Sequence, residues 1–172
     1  NYMSPLGRII LESDGASLTG VWLPRQRDGE PEGERAELPV FVATRRWLDV
    51  YFSGRDPGAT PPLAMKGSPF QLAVWELLKR IPYGGTTTYG ALAKEIARQR
   101  GLSRMSAQAV GGAVGSNPIA ILVPCHRVLG ANGRLTGYAG GIDKKVRLLG
   151  FEGFRTTGAV SYTHLTLPTK RI

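Results

Sequence analysis

A chain of 172 residues with 42% hydrophobic and 20% charged side chains has the size and balance of one ordinary domain or two small ones, which excludes fibrous and disordered classes. A single cysteine excludes an internal disulfide and a cysteine-based zinc cluster, and no run approaches the roughly 18 consecutive apolar residues of a membrane helix. The net charge of +9 is unevenly spread: residues 1–65 carry 7 basic and 9 acidic side chains, residues 66–153 carry 12 and 4, and residues 154–172 carry 3 and none. Positive charge gathered in the middle and C-terminal part suits a polyanionic partner, nucleic acid first, and equally suits a plain basic surface. No basic start followed by an apolar segment marks a signal peptide. The lone thiol fits a reducing compartment, so an intracellular, cytoplasmic location is expected.

In chain order, SPLGRIILESDGASLTGVWLP (4–24) alternates apolar and polar residues on both sides of Asp14-Gly15, the pattern of a β-hairpin. RQRDGEPEGERAE (25–37) reads as a solvated loop. PVFVATRRWLDVYF (39–52) predicts a helix with Phe41, Leu48, Tyr51 and Phe52 near one face. SGRDPGATPPLAMKG (53–67) reads as a linker where the composition changes, so a boundary is expected between an N-terminal unit, 1–65, and a C-terminal unit, 66–153. Ser68, Pro69 and Gln71 then form a capping-box signature. Val74, Leu77, Leu78 and Ile81 follow at helical spacing until Pro82 stops the helix.

After GGTTT, a second helix is predicted over YGALAKEIARQRG (89–101) and a third from Ser106 to before Pro118. Two short helices joined by a short turn have the outline of a helix-turn-helix. Gly111 and Gly112 inside the third each cost about 1 kcal/mol relative to alanine, so this helix serves a close backbone approach, either by a neighbouring helix or in a DNA groove. A last helix covers KKVRLLGFEG (144–153). Residues 154–172, ending in SYTHLTLPTKRI, show no continuity with it and read as a non-native tail; they are left out of the site together with His164. The fold class expected is α+β.

The lone cysteine sits in ILVPCHRVLG (121–130), flanked by His126 and Arg127. A thiol reacts as the thiolate, which needs a nearby positive charge, helix N-terminus or imidazole. Adjacent residues of an extended strand point to opposite faces, so His126 reaches Cys125 only if a turn follows Pro124 or a water intervenes. Glu152 is the natural third member to orient the imidazole. Taken without context, the alternative of a small buried hydrophobe remains open for Cys125, as do phosphate contact and ion pairing for Arg127.

NPIAILVPCHRVLGANGRLTGYAGGIDKKVRLLGFEG (117–153), preceded by IPYGGTTTYGALA and AVGGAVGSNP, closely resembles the methylated-DNA-protein-cysteine methyltransferases, the O6-alkylguanine-DNA alkyltransferases, and the resemblance runs from about Ser4 to Gly153. It implies a small ribonuclease H-like β-sheet and helix domain packed on a mainly helical domain that carries the helix-turn-helix. It further implies that Cys125 takes the alkyl group irreversibly, His126 activates the thiol through a water, Glu152 holds the imidazole, Asn117 braces the turn, and Tyr89 donates toward the guanine ring. By the same resemblance the carbonyls of Cys125 and Val128 select guanine, and Tyr138, the backbone N–H of Ala139 and Lys145 line the pocket. Many relatives have serine where this chain has Ala139.

The helix bearing Ala107, Gln108, Ala109, Gly111 and Gly112 would enter the minor groove, with Arg127 as a further contact. An arginine commonly props the gap left by the extruded base; here that position is Gln108, so the role falls to Gln108 or to Arg104. The partner implied is double-stranded DNA bearing O6-alkylguanine, bound by a monomer without cofactor, metal or membrane. Three competing readings are a non-catalytic alkylated-DNA-binding protein, whose known examples carry tryptophan at the acceptor position, a helix-turn-helix regulator with an incidental cysteine, and a thiol hydrolase with repeated turnover.

Overall fold

The computed structural model describes residues 1–154 and the backbone of Lys170–Arg171. The chain begins as an antiparallel meander of β1 (Tyr2–Ser4), β2 (Gly7–Ser13) and β3 (Leu18–Trp22), with Ile9 and Leu11 of β2 facing the core. The β2–β3 hairpin forms because Asp14 Oδ1 accepts from the N–H groups of Ala16 and Ser17 while Gly15 takes φ 107°, a region costly for a side-chain-bearing residue. The hairpin is as the sequence predicts, and β1 is an addition to it.

Helix α1 (Pro39–Phe52) covers this sheet. Its buried face is Val40, Thr44, Trp47, Leu48 and Tyr51, with Phe41 and Phe52 only partly buried at its border. The predicted stripe is therefore rotated. Thr44 is accommodated inside because its hydroxyl donates to the Val40 carbonyl.

Residues 53–67 connect α1 to α2 (Pro69–Lys79), yet their last part is pinned: Leu18 N–H donates to Pro62 O (2.8 Å) and Ala64 N–H to Leu18 O (2.9 Å). The capping box opens α2 in full, with Gln71 N–H donating to Ser68 Oγ and Ser68 N–H to Gln71 Oε1. Val74, Leu77, Leu78 and Ile81 are all buried.

Strand β4 (Gly85–Thr88) leads into α3 (Tyr89–Arg100), capped by the Thr88 hydroxyl and ended by Gly101 in the left-handed conformation, φ 66°. Helix α4 (Ala107–Gly115) starts at the Ser106 cap and packs on both α2 and α3; the indole N–H of Trp75 donates to Ala113 O (2.8 Å). A 3₁₀ turn, Cys125–Arg127, leads into β5 (Val128–Leu129), and α5 (Ile142–Phe151) closes the main body. β5 and β6 (Lys170–Arg171) both pair in parallel with β4. Apart from Phe154 and that short strand, the tail expectation and His164 lie outside the described residues.

One main core runs from Leu6 to Leu148 and joins the segments before and after residue 65. β3 is the seam. Its Val21 N–H donates to Pro118 O (2.9 Å) and its carbonyl accepts from Ala120 N–H (3.1 Å), so the N-terminal sheet grips the segment leading to Cys125.

Leu48 is fully buried in α1, whereas Leu102 is 48% exposed. Leu48→Ala is expected to lower stability by about 2–5 kcal/mol in urea unfolding, and Leu102→Ala by less than about 0.5 kcal/mol.

Candidate active site and its DNA-facing helix

The segment before the thiol is held by one side chain. Asn117 Nδ2 donates to the carbonyls of Val123 (2.8 Å) and Ile119 (3.2 Å), and its Oδ1 accepts from Ile119 N–H (2.9 Å). Ile121 inside this braced loop has φ 70°, a strained position for a β-branched residue that persists only when its surroundings over-determine it. The loop delivers the chain into the 3₁₀ turn with Cys125, His126 and Arg127 all buried. The chain does turn directly after Pro124, yet His126 Nδ1 makes no hydrogen bond among the described residues, so a water remains the route between imidazole and thiol.

Behind the thiol lies a buried carboxylate with four donors. Glu152 Oε2 accepts from His126 Nε2–H (2.5 Å) and the Tyr51 hydroxyl (2.7 Å), and Oε1 accepts from Arg127 Nε–H (2.7 Å) and Gly84 N–H (3.1 Å). Burial pushes Glu152 upward, but its interactions with His126 and with the Arg127 guanidinium outweigh it and hold the carboxyl at about 2. His126 is depressed, chiefly by burial, with Glu152 only partly restoring it, so the imidazole is neutral at neutral pH. With Nε2–H donated to Glu152, Nδ1 carries the free lone pair, and it has no partner among the described residues.

The Cys125 thiol is raised by burial, against the lowering influence of the Asn117 side chain, the Lys145 charge and the Tyr138 hydroxyl. It rests protonated. Lys145 is fully buried, its ammonium donating to the carbonyls of Val128 (2.6 Å), Thr136 (3.1 Å) and Gly137 (3.2 Å); burial lowers it to about 8. It thereby ties the wall around residue 137 to β5 and leaves a positive charge near the sulfur at neutral pH.

Cys125 opens on a pocket of about 200 Å³, lined also by Tyr89, Gly111, Val114, Asn117, Tyr138 and Ala139. The size suits one flat heterocycle. Burial raises the Tyr89 hydroxyl to about 12, so it remains a proton donor there. Gln26 contributes to the pocket from the loop after β3, held by a hydrogen bond from Leu23 N–H to its Oε1.

The sequence-predicted residues Cys125, His126, Glu152, Asn117, Tyr89, Tyr138, Ala139, Lys145 and Val128 thus converge around this pocket or directly behind it. Arg127 does not belong with the DNA contacts. It is buried with its guanidinium on Glu152 and the Ile81 carbonyl (2.7 Å each), so the ion-pair alternative is the one realised. Two residues at the site are absent from the sequence reading of it: Tyr51, on Glu152, and Gln26, in the pocket wall. Both come from the N-terminal part, and only the fold brings them here.

On α4 the outward residues are Ala107, Gln108, Ala109 and Gly112, with Arg104 exposed just before the helix. A Cβ on Gly112 would meet nothing within 4 Å among the described residues, and one on Gly111 only the Tyr89 ring at 3.7 Å. Packing within the chain therefore does not explain these glycines.

A neutral thiol opening on a base-sized pocket, with an imidazole-carboxylate pair beginning at the next residue and Gly111, Val114 and Gly115 of α4 in the pocket wall, has the make-up of a cysteine-nucleophile protein. Residues 69–154 match the family described as 6-O-methylguanine DNA methyltransferase, DNA binding domain. The methylated-DNA-protein-cysteine methyltransferases of Haemophilus influenzae and Methanosarcina acetivorans are each 42% identical over 154 residues, spanning 88% of this chain and 83% and 96% of their own. The crystal structure of Mycobacterium tuberculosis OGT in complex with DNA is similar with a TM-score of 0.76 and 40% identity, covering 87% of this chain and 88% of that one. The chain belongs to the methylated-DNA-protein-cysteine methyltransferase family.

Because Glu152 ionises at about 2 in the folded protein against an ordinary 4.5, its stabilisation is complete above pH 4.5 and lost as pH falls toward about 2. Glu152→Gln should flatten the stability curve across that window. At neutral pH the same variant should lose about 3–5 kcal/mol in urea unfolding, because it leaves the Arg127 guanidinium buried without a charge partner.

Proposed function

We propose that this chain is a single-turnover DNA repair protein that draws O6-alkylguanine out of duplex DNA and takes the alkyl group onto Cys125. The observation that carries this reading is that the only thiol opens on a pocket lined in part by Gly111, Val114 and Gly115 of the small-residue helix. Extrusion is required because the alkylated oxygen is inaccessible inside a stacked duplex. Proton transfer from Cys125 to His126 Nδ1, directly or through a water, makes a thiolate, and Glu152 stabilises the imidazolium so formed. The sulfur forms a bond to the alkyl carbon as the carbon–oxygen bond breaks, the electron pair remaining with guanine, whose ring nitrogen takes a proton from the Tyr89 hydroxyl; the proton that left Cys125 for His126 passes on through water to restore the phenol, so the transfer is neutral overall. The product is a thioether, stable to hydrolysis.

The carbonyls of Cys125 and Val128 are assigned to the guanine exocyclic amine; that of Val128 already accepts from Lys145, leaving one lone pair. The Ala139 backbone N–H and Tyr138 are assigned to the alkylated oxygen. Helices α3 and α4 act as a helix-turn-helix whose second member enters the minor groove, with Gln108 or Arg104 filling the vacated stack. The hairpin-bearing unit, 1–65, is assigned a ribonuclease H-like fold that braces unit 66–153, and the protein is assigned to the cytoplasm as a DNA-bound monomer.

Incubated with a duplex containing O6-methylguanine, the intact chain should gain the mass of one methyl group at Cys125, saturating at one per molecule. Folded protein that gains no mass would refute the reading, and repeated turnover would favour a hydrolase. Gly112→Leu should keep or slightly raise stability, since leucine is the better helix former by up to about 1 kcal/mol. The same variant should slow methyl uptake from duplex DNA roughly tenfold or more, while uptake from the free base O6-methylguanine, which needs no groove, stays unchanged.

A further inference from the structure

We infer that Tyr51 is a positioning residue of the alkyl-transfer reaction: from the N-terminal helix, its hydroxyl sets how strongly Glu152 supports His126 as the base. The inference rests on the proposed transfer to Cys125 and adds to it a member drawn from the other part of the chain.

Tyr51 lies in α1 with no solvent exposure. Its hydroxyl is 2.7 Å from Glu152 Oε2, 3.1 Å from Leu148 O and 3.5 Å from His126 Nε2. A phenol has one hydrogen. The carboxylate is both the nearer and the charged acceptor, so that hydrogen goes mainly to Oε2. His126 Nε2–H donates to the same oxygen at 2.5 Å. The two donors therefore compete for one carboxylate oxygen, and whatever charge Tyr51 neutralises is withheld from the imidazole.

The ring is fixed for this purpose. Trp47 stacks on it at 5.7 Å between centroids and 6° between planes, while Phe52 and Tyr83 meet it edge-on at 5.2 and 6.3 Å. The His126 ring stands nearly perpendicular to it, at 80° and 6.4 Å. Burial and the Glu152 charge keep the phenol protonated well beyond its ordinary range, so it acts as a permanent donor and not as an acid in the reaction.

The other ionisable groups around the pair are Arg127 on Glu152, Lys145 and Cys125 on the pocket side, and the Tyr83 and Tyr138 hydroxyls. Arg127 engages the opposite oxygen, Oε1, and so does not share Tyr51's leverage on the oxygen that His126 uses. As His126 accepts the thiol proton on Nδ1, its Nε2–H becomes a stronger donor to Oε2. Removing the phenolic donor should make the carboxylate more basic and raise the affinity of His126 for its proton.

The test pairs the pH dependence of the alkyl-transfer rate with an NMR titration of His126, in the wild type, in Tyr51→Phe and in protein carrying ring-fluorinated tyrosine at position 51 alone. Tyr51→Phe should move the His126 inflection up by about one pH unit, the equivalent of one redistributed charge-assisted hydrogen bond. The fluorinated ring, a stronger donor of nearly unchanged shape, should move it down, and it supplies the test by itself should Tyr51→Phe fail to fold. Leu48→Ala, which keeps the hydroxyl and the rings that pack on it, should change stability without moving the inflection. Inflections unmoved in an active, folded protein would overturn the assignment of Tyr51 while leaving transfer to Cys125 intact. Absence of transfer in the wild type would instead strike the functional reading itself.

Discussion

The arrangement depends on keeping one carboxylate ionised where water does not reach it. Glu152 sits at the end of α5, and its donors come from α1, from the turn before β4 and from the 3₁₀ turn of the nucleophile. An isolated buried carboxylate is too costly to persist, so these elements must be assembled together for any of them to be stable in place. The same requirement fixes chemistry. Holding Nε2–H toward Glu152 selects the tautomer of His126 and leaves Nδ1 without a hydrogen-bond partner among the described residues.

The thiol is kept quiet by the burial that gives it a pocket. With Cys125 raised and His126 depressed, the resting pair is neutral on both sides, and charge separates only when an electrophilic carbon is in position. A protein that spends its acceptor once gains from this restraint, since a standing thiolate would react with other electrophiles. Two surfaces stand next to the thiol: the pocket, walled by loops that Lys145 and Asn117 hold together, and the face of α4 where Ala107, Ala109 and Gly112 leave the backbone exposed.

Local chemistry was legible in the sequence wherever it is decided over a few residues. The Ser68-Gln71 capping box, the Asp14-Gly15 turn and the Gly101 stop each follow from side-chain or backbone preferences that need no distant partner, and each is present. Cys125, His126, Glu152 and Asn117 are named by the resemblance that their motifs carry, and the fold brings them together around one turn. Tyr51 escaped because it looks like one more apolar position of an amphipathic helix; its partner Glu152 lies 101 residues away. Arg127 was divided between solvent and interior because an arginine beside a catalytic pair reads the same either way, and only the Glu152 and Ile81 oxygens show it facing inward. The rotation of α1 has the same origin: Thr44 enters the core by bonding to its own helix, which a count of apolar residues does not register.

The central claim is that His126 rests neutral, with its proton on Nε2 toward Glu152 and its Nδ1 lone pair unshared. Nitrogen-15 chemical shifts of the His126 ring at neutral pH report this directly. The account predicts a protonated Nε2 and an unprotonated Nδ1; a ring protonated on Nδ1, or on both nitrogens, would contradict it.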